Sequence, residues 1–244
     1  MANKPEISFY GDQAILLQWD FDINPENLKV LRAAKAKIEE VLSASTITVI
    51  NTYQELLVIY QERGATLMTD IKKLQDIDFT NLKIDAYSTR RRLEVPVCYE
   101  EHFGLDIKAL AEAKDISVKT LINWHIEPVY TVYFIGFLPG FPYLGGLDKR
   151  LAHSRRANPR KQISKGSVGI AEGQTGIYPQ ESPAGWQIIG NCPIPLFNKE
   201  KEVPSLLQTG DEIIFSAISM DEYEDWQARI KEGSFKSENL IING

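Results

Sequence analysis

Hydrophobic positions along the first hundred residues alternate between a period of two and a period near 3.6. Ile7 to Phe9 and Ala14 to Trp19 are apolar runs joined through Gly11-Asp12, a turn pair, which predicts a hairpin or a bent strand. Asn24-Pro25-Glu26 then offers an N-cap, a proline at the first helical position and an early acid. Leu28, Leu31, Ala34, Ile38 and Leu42 follow at spacings of three and four, so a helix with one apolar stripe is expected. Thr46 to Ile50 and Glu55 to Gln61 read as two more strands, and Thr66 to Leu74 as a short amphipathic helix with Leu67, Ile71 and Leu74 inward. Leu93 to Tyr99 reads as another strand. Strand–helix–strand–strand–helix–strand is the split βαβ order, so residues 1–100 are expected to form a ferredoxin-like α/β domain.

Residues 101–128 read as a helical connector, with two short helices broken at Asp115-Ile116-Ser117 and Ser117 capping the second. Its outline resembles a DNA-binding helix-turn-helix, but Leu121, Ile122 and Trp124 stand where a groove-reading helix wants Arg, Asn or Gln. From Val129 the character changes. Most of the glycines and prolines fall between residues 128 and 210, and they separate short strand-like pieces at Tyr130 to Phe134, Val168 to Ala171, Trp186 to Ile189 and Glu212 to Phe215. That punctuation predicts a β-barrel or sandwich over 129–244, closed by a helix from Asp221 to Lys231 with Tyr223, Trp226 and Ile230 on one face. The fold class is therefore α+β.

Composition narrows the functions. The 244 residues carry 27 basic and 33 acidic side chains, a net charge of −6, which argues against a nucleic-acid partner needing a basic face. The start MANKPEISFYGDQ lacks a secretory pattern, and no apolar run approaches the ~18–20 residues that cross a bilayer, so a cytoplasmic protein without a membrane partner is expected. Cys98 and Cys192 are too few and too far apart for a disulfide framework and read as core thiols.

Candidate chemistry concentrates between Gly136 and Gly190. Gly136-Phe-Leu-Pro-Gly-Phe-Pro-Tyr-Leu-Gly-Gly alternates backbone-permissive glycines, rigid prolines and large rings, a strip suited to a pocket wall built from Phe137, Phe141 and Tyr143 or to a well-ordered turn that fills a core. Arg155, Arg156 and Arg160, with Lys161 and Lys165, concentrate positive charge on an acidic chain, and guanidinium forks suit carboxylate or phosphate. Lys165-Gly-Ser167-Val-Gly169 misses the serine-hydrolase elbow, and neither a Walker A loop nor G-x-G-x-x-G occurs. His102, His125 and His153 lie 23 and 28 residues apart without Cys or Glu at ligand spacing, so no metal site is expected. His125, at the end of a helix, reads equally as structural or catalytic.

Tyr133-Phe-Ile-Gly-Phe-Leu-Pro-Gly-Phe-Pro-Tyr-Leu-Gly-Gly-Leu147, Pro159-Arg160, Gly166-Ser-Val168, Thr175-Gly-Ile-Tyr-Pro179, Ser182-Pro183 and Gly185-Trp186 through Ile189-Gly190 together resemble the family of the 5-oxoprolinase B subunit. This family includes the sporulation-kinase inhibitor KipI and is often labelled allophanate hydrolase subunit 1. The resemblance extends to Gly11-Asp12, Val95-Pro-Val-Cys-Tyr99, Phe103-Gly-Leu-Asp106 and His125, and so covers nearly the whole chain. The chain departs from the family pattern at three places: Ser164-Lys165 for Pro-Ala, Glu172 for a glycine, and Ala184 for the first of two glycines. Lys165 and Glu172 add opposite charges at strand ends, an ion pair or a change of preference.

The resemblance implies a small α/β domain followed by a cyclophilin-like β-barrel. It also implies one component of a hydrolase, inactive alone, that works with the C and A subunits of the same enzyme to hydrolyse 5-oxo-L-proline to L-glutamate with ATP bound by the assembled complex. On that basis Arg155, Arg160 and His125 are expected in catalysis, and Phe137, Phe141, Tyr143, Ser167, Thr175, Tyr178, Ser182 and Trp186 in substrate binding. The competing reading is a regulatory protein that docks on a sensor histidine kinase and blocks its autophosphorylation.

Overall fold

A four-stranded antiparallel sheet organises the first of two units into which the chain divides, Met1–Arg90 and Arg91–Gly244. The computed structural model describes residues 4–42, 47–61, 67–84 and 91–242. In the first unit β1 (Glu6–Tyr10), β2 (Ala14–Gln18), β3 (Ile47–Asn51) and β4 (Glu55–Tyr60) stand in the order β1-β2-β4-β3. Asn24 caps α1 (Pro25–Leu42) as its sequence predicts, its Oδ1 accepting from the Asn27 N–H at 2.8 Å. Because β4 lies between β2 and β3, the β2-α1-β3 crossover is split. The alternating positions Ile15, Leu17, Leu56 and Val58 share one core with Leu31 and Ile38 of α1 and Leu74 of α2 (Leu67–Gln75). Trp19 closes it edge-on to Phe79, with ring centroids 5.7 Å apart. The expected strand and helix starts at Thr46 and Thr66 lie outside the described residues.

The structure differs from the expected ferredoxin-like order at its last element. The place beside β2 is taken by β1, and the strand expected to complete the first domain, β5 (Arg92–Cys98), belongs to the second unit. The physical reason is in its own sequence. Val95, Pro96, Val97 and Cys98 are buried in succession, the signature of a strand covered on both faces rather than one facing water on one side. β5 runs parallel to β13 (Glu212–Ile218) over seven residue pairs, and its pairing with β12 (Gln187–Asn191) is confined to Asn191 opposite Cys98. The unit boundary thus falls at residue 90 rather than 100.

The second unit is a closed barrel of order β10-β7-β6-β13-β5-β12-β9, with β6 Tyr130–Ile135, β7 Pro142–Gly145, β9 Ser167–Ala171 and β10 Gln174–Ile177. A separate ribbon pairs β8 (Arg160–Ile163) with β11 (Ser182–Ala184). The connector helices α3 (Ile107–Ala113) and α4 (Val118–Ile126) are part of this unit, not a linker, since Ile107, Leu110, Ala111 and Leu121 are buried in the barrel's core cluster. Ser117 accepts from the Thr120 N–H at 3.0 Å, the predicted cap. A capping box at Ser219-Glu222 starts α5 (Met220–Lys231). Cys98 and Cys192 are free and buried, as expected of core thiols.

The hairpin joining β9 to β10 turns on Glu172-Gly173, and Glu172 has φ +52°. A two-residue turn with positive φ at its first position favours glycine there, which accounts for the residue usual in the resembled family. Glu172 and Lys165 form no ion pair with each other. Left-handed backbone costs a non-glycine residue about 1–2 kcal/mol, and glycine's larger unfolded-state freedom offsets about 0.5–1. Glu172→Gly is therefore expected to raise the barrel unit's melting temperature by about 2 °C, read by calorimetry. The exposed side chain is lost at no packing cost, and the backbone bridge to His153 is kept.

Candidate functional site: an aromatic cavity beside an arginine–carboxylate cluster

The loop from β6 to β7 is tied by its own backbone. The Gly136 N–H donates to the Phe141 carbonyl at 3.1 Å, Phe141 N–H to Leu138 at 2.9 Å and Leu138 N–H to Gly136 at 2.7 Å. That last bond closes a three-residue turn around Phe137, whose φ of +64° is the rare and strained hand of the γ-turn. The strain holds an aromatic ring 65% exposed at the rim of a cavity.

The floor beneath is a small apolar cluster separate from the main barrel core, containing Phe141, Tyr178, Trp186 and Ile188. Phe141 meets Tyr143 and Tyr178 edge-on at 5.1 Å and Trp186 at 5.6 Å, arrangements that add to the area buried. Gly176 permits it, because a Cβ there would sit 2.8 Å from the Phe141 ring. The cavity has a volume of about 280 Å³, and its charged lining is Arg155 and Arg156 with no acid. Burial pushes the Tyr178 and Tyr143 phenols up against a smaller downward pull from Arg155, so both stay neutral hydrogen-bond donors near pH 7. Arg155 is exposed and forms no ion pair among the described residues.

Behind the wall lies Asp106, 4% exposed. Its two oxygens accept from Arg156 Nη1 at 2.6 Å, from Arg160 Nη1 and Nη2 at 2.7 and 2.8 Å, and from the Ile188 N–H at 2.7 Å. Burial alone would raise its pKa; the Arg160 hydrogen bond, the Ile188 N–H and the two guanidinium charges outweigh that and hold it below the usual carboxylate range.

Of the residues expected from sequence, Phe137, Phe141, Tyr143, Arg155, Tyr178 and Trp186 surround this one cavity. The others lie elsewhere. Arg160 is spent on Asp106 and does not line the cavity. Ser182 Oγ donates to the Pro183 carbonyl, and Ser167, 3% exposed, sits in β9 with its carbonyl accepting from Tyr178 N–H. His125 and Thr175, both 0% exposed, form a relay inside the barrel core. Asp106 and the cavity role of Arg156 were missed by sequence reasoning. The only signal was Phe103-Gly-Leu-Asp106 in the resembled pattern, because nothing local ties residue 106 to residues fifty positions later.

Two roomier clefts, about 760 and 750 Å³, lie along Lys37, Lys73 and Lys83 in the first unit and along Lys165, Lys201 and Phe235 in the second. Neither combines a buried aromatic floor with converging guanidiniums, so the smaller cavity is the better site. Among the described residues no helix is long and apolar enough to cross a membrane.

The family model for the carboxyltransferase domain, subdomain C and D, matches residues 5–207. The 5-oxoprolinase B subunit of Bacillus subtilis is 35% identical over 236 residues, which cover 93% of this chain and 98% of that protein. The protein of the same name from Escherichia coli O157:H7 is 43% identical over 206 residues, 84% and 92% of the two chains. Among solved structures, a conserved uncharacterized protein from Pyrococcus horikoshii is 39% identical, with a TM-score of 0.54 over 89% of this chain and 100% of that one. The Kluyveromyces lactis urea amidolyase gives a TM-score of 0.74 at 19% identity, a likeness of fold covering 98% of this chain and 16% of that one. A barrel with this aromatic strip, matched almost end to end by these relatives, places the chain in the 5-oxoprolinase B-subunit family of carboxyltransferase-related proteins.

Proposed function

We propose that the chain is the B subunit of an ATP-dependent 5-oxoprolinase that hydrolyses 5-oxo-L-proline to L-glutamate with its A and C partner subunits, its cavity forming one wall of the substrate site. The observation that carries this reading is the cavity of about 280 Å³ with an aromatic floor and two guanidiniums but no acid in its lining. That combination suits a small ring bearing a carboxylate. The names of the Bacillus and Escherichia relatives support it, and the Lachancea kluyveri relative, 26% identical over a stretch covering 14% of its length, carries the name urea amidolyase.

Phe137, Phe141 and Trp186 would exclude water from the lactam ring, the neutral Tyr143 and Tyr178 would donate hydrogen bonds, and Arg155 at the mouth would draw in the anion. No Walker A or G-x-G-x-x-G loop occurs in the sequence to cradle a nucleotide's phosphates. ATP is accordingly assigned to the assembled complex. The site offers no paired nucleophile and base, so the isolated chain is expected to show no turnover.

The test is co-expression with the A and C subunits and measurement of glutamate and ADP from 5-oxoproline. Arg155→Ala should raise KM about 5–10-fold, with more effect at low salt than at high. Full activity of the lone chain, or no activity of the three-subunit complex, would sink the reading.

A further inference from the structure

A guanidinium offers two edges that can grip an anion with paired bonds: end-on through Nη1 and Nη2, and side-on through Nε and Nη2. Arg160 uses its end-on edge on Asp106. Arg156 is committed differently. Only its Nη1 is taken, by Asp106 Oδ1 at 2.6 Å, and its Nε–H is buried with no hydrogen-bond partner. Its Nη2 has no protein partner among the described residues either, so the side-on edge of a cavity-lining arginine is left unmatched. A buried N–H without an acceptor is costly, and it is kept where something else supplies one.

The arginine is also fixed in place. Its backbone N–H donates to the Gly185 carbonyl at 2.7 Å, next to Trp186 of the floor, and its Nη1 is held by a carboxylate that is itself anchored on the Ile188 N–H. One aspartate faces two arginines, so the cluster keeps a net positive charge toward the cavity. Arg155, exposed and unattached, contributes charge without a set geometry.

We propose that Arg156 reads the carboxylate of the cavity's occupant through its side-on Nε–H and Nη2 edge, and that Asp106 is the positioning residue that aims it. This rests on reading the cavity as the 5-oxoproline site and names the group that gives that site its preference for an acid. The experiment compares 5-oxoproline with 2-pyrrolidinone, the same lactam without its carboxylate, as substrates of the co-expressed three-subunit complex. Arg156→Lys keeps the charge and removes the fork, and is expected to reduce the kcat/KM preference for the acid about 10–100-fold. Asp106→Asn should move the same preference in the same direction by a smaller factor, through KM rather than kcat; a merely structural role would lower both substrates alike. An unchanged preference in an active Arg156→Lys complex overturns the proposal.

Should the wild-type complex turn over neither lactam, the functional reading fails while this one remains open to calorimetric titration of 5-oxoproline into the full chain. Binding by wild type that is lost in Arg156→Lys and in Arg156→Gln supports it, and equal binding, or none to wild type, overturns it.

Discussion

Replacing Asp106 by alanine is expected to destabilise the barrel unit by about 3–5 kcal/mol, a large part of the ~5–15 kcal/mol by which a domain is usually stable. The reason is asymmetry. The carboxylate accepts four hydrogen bonds from guanidiniums and one N–H, and it is almost wholly buried. Removing it strands two cations against each other and leaves the Ile188 N–H without its side-chain acceptor. Arg160→Ala should cost less, about 1.5–3 kcal/mol, since Asp106 keeps Arg156 and the Ile188 N–H. Urea denaturation followed by tryptophan fluorescence checks both, as a fall in midpoint at unchanged slope. A loss below about 1 kcal/mol for Asp106→Ala would show that water replaces the carboxylate and that the cluster is not structural. The sign with pH follows from the lowered pKa: this contribution is complete above the ordinary aspartate range near 3.9 and is lost as the pH falls through the lower folded value.

What was legible in the sequence was what is local. The period-two and period-3.6 patterns marked α1, β4 and α5 because each element's burial is decided by its own spacing, and the alternation of glycine, proline and rings from Gly136 to Gly146 marked the cavity loop. What failed was pairing. β5 reads as a strand in any context, but its partners Glu212 to Ile218 lie 120 residues on, so its transfer from the first domain to the barrel was invisible. The arginines failed likewise. Arg155, Arg156 and Arg160 are equivalent as a charge run, and only the position of Asp106 decides that one is consumed, one is half-committed and one is unattached. The strain at Phe137 and Glu172 is a backbone property that no side-chain pattern announces, although a glycine usual at position 172 in the resembled family was its trace.

The barrel unit is expected to lose stability on mild acidification, beginning near pH 6.5, because His125 is folded as a neutral imidazole. Burial drives its pKa down from 6.5 to about 3. The hydrogen bonds specify the neutral form atom by atom. Thr175 Oγ1 donates to the Gly169 carbonyl at 3.0 Å, so it accepts from His125 Nε2–H at 3.0 Å, and Nδ1 is left to accept from the Tyr99 hydroxyl at 2.7 Å. A second ring proton would place an N–H against the hydrogen of the Tyr99 hydroxyl as it now stands, and among the described residues no carboxylate pairs with the ring: Phe215 stacks on it at 4.6 Å and Tyr130 lies 5.7 Å away. The folded pKa is below the unfolded one, so the stabilisation is fully present above pH 6.5 and is lost progressively as the pH falls toward about 3, at up to ~1.4 kcal/mol per unit. His125→Gln keeps a donor and an acceptor but does not titrate. It should be less stable than wild type at pH 8, yet show a flatter dependence between pH 6.5 and about 4.5, so that the two curves converge as acid is added. Denaturation midpoints across that range decide it. Parallel curves would mean that His125 takes up its proton in the fold as readily as in the unfolded chain, against the burial that holds it neutral.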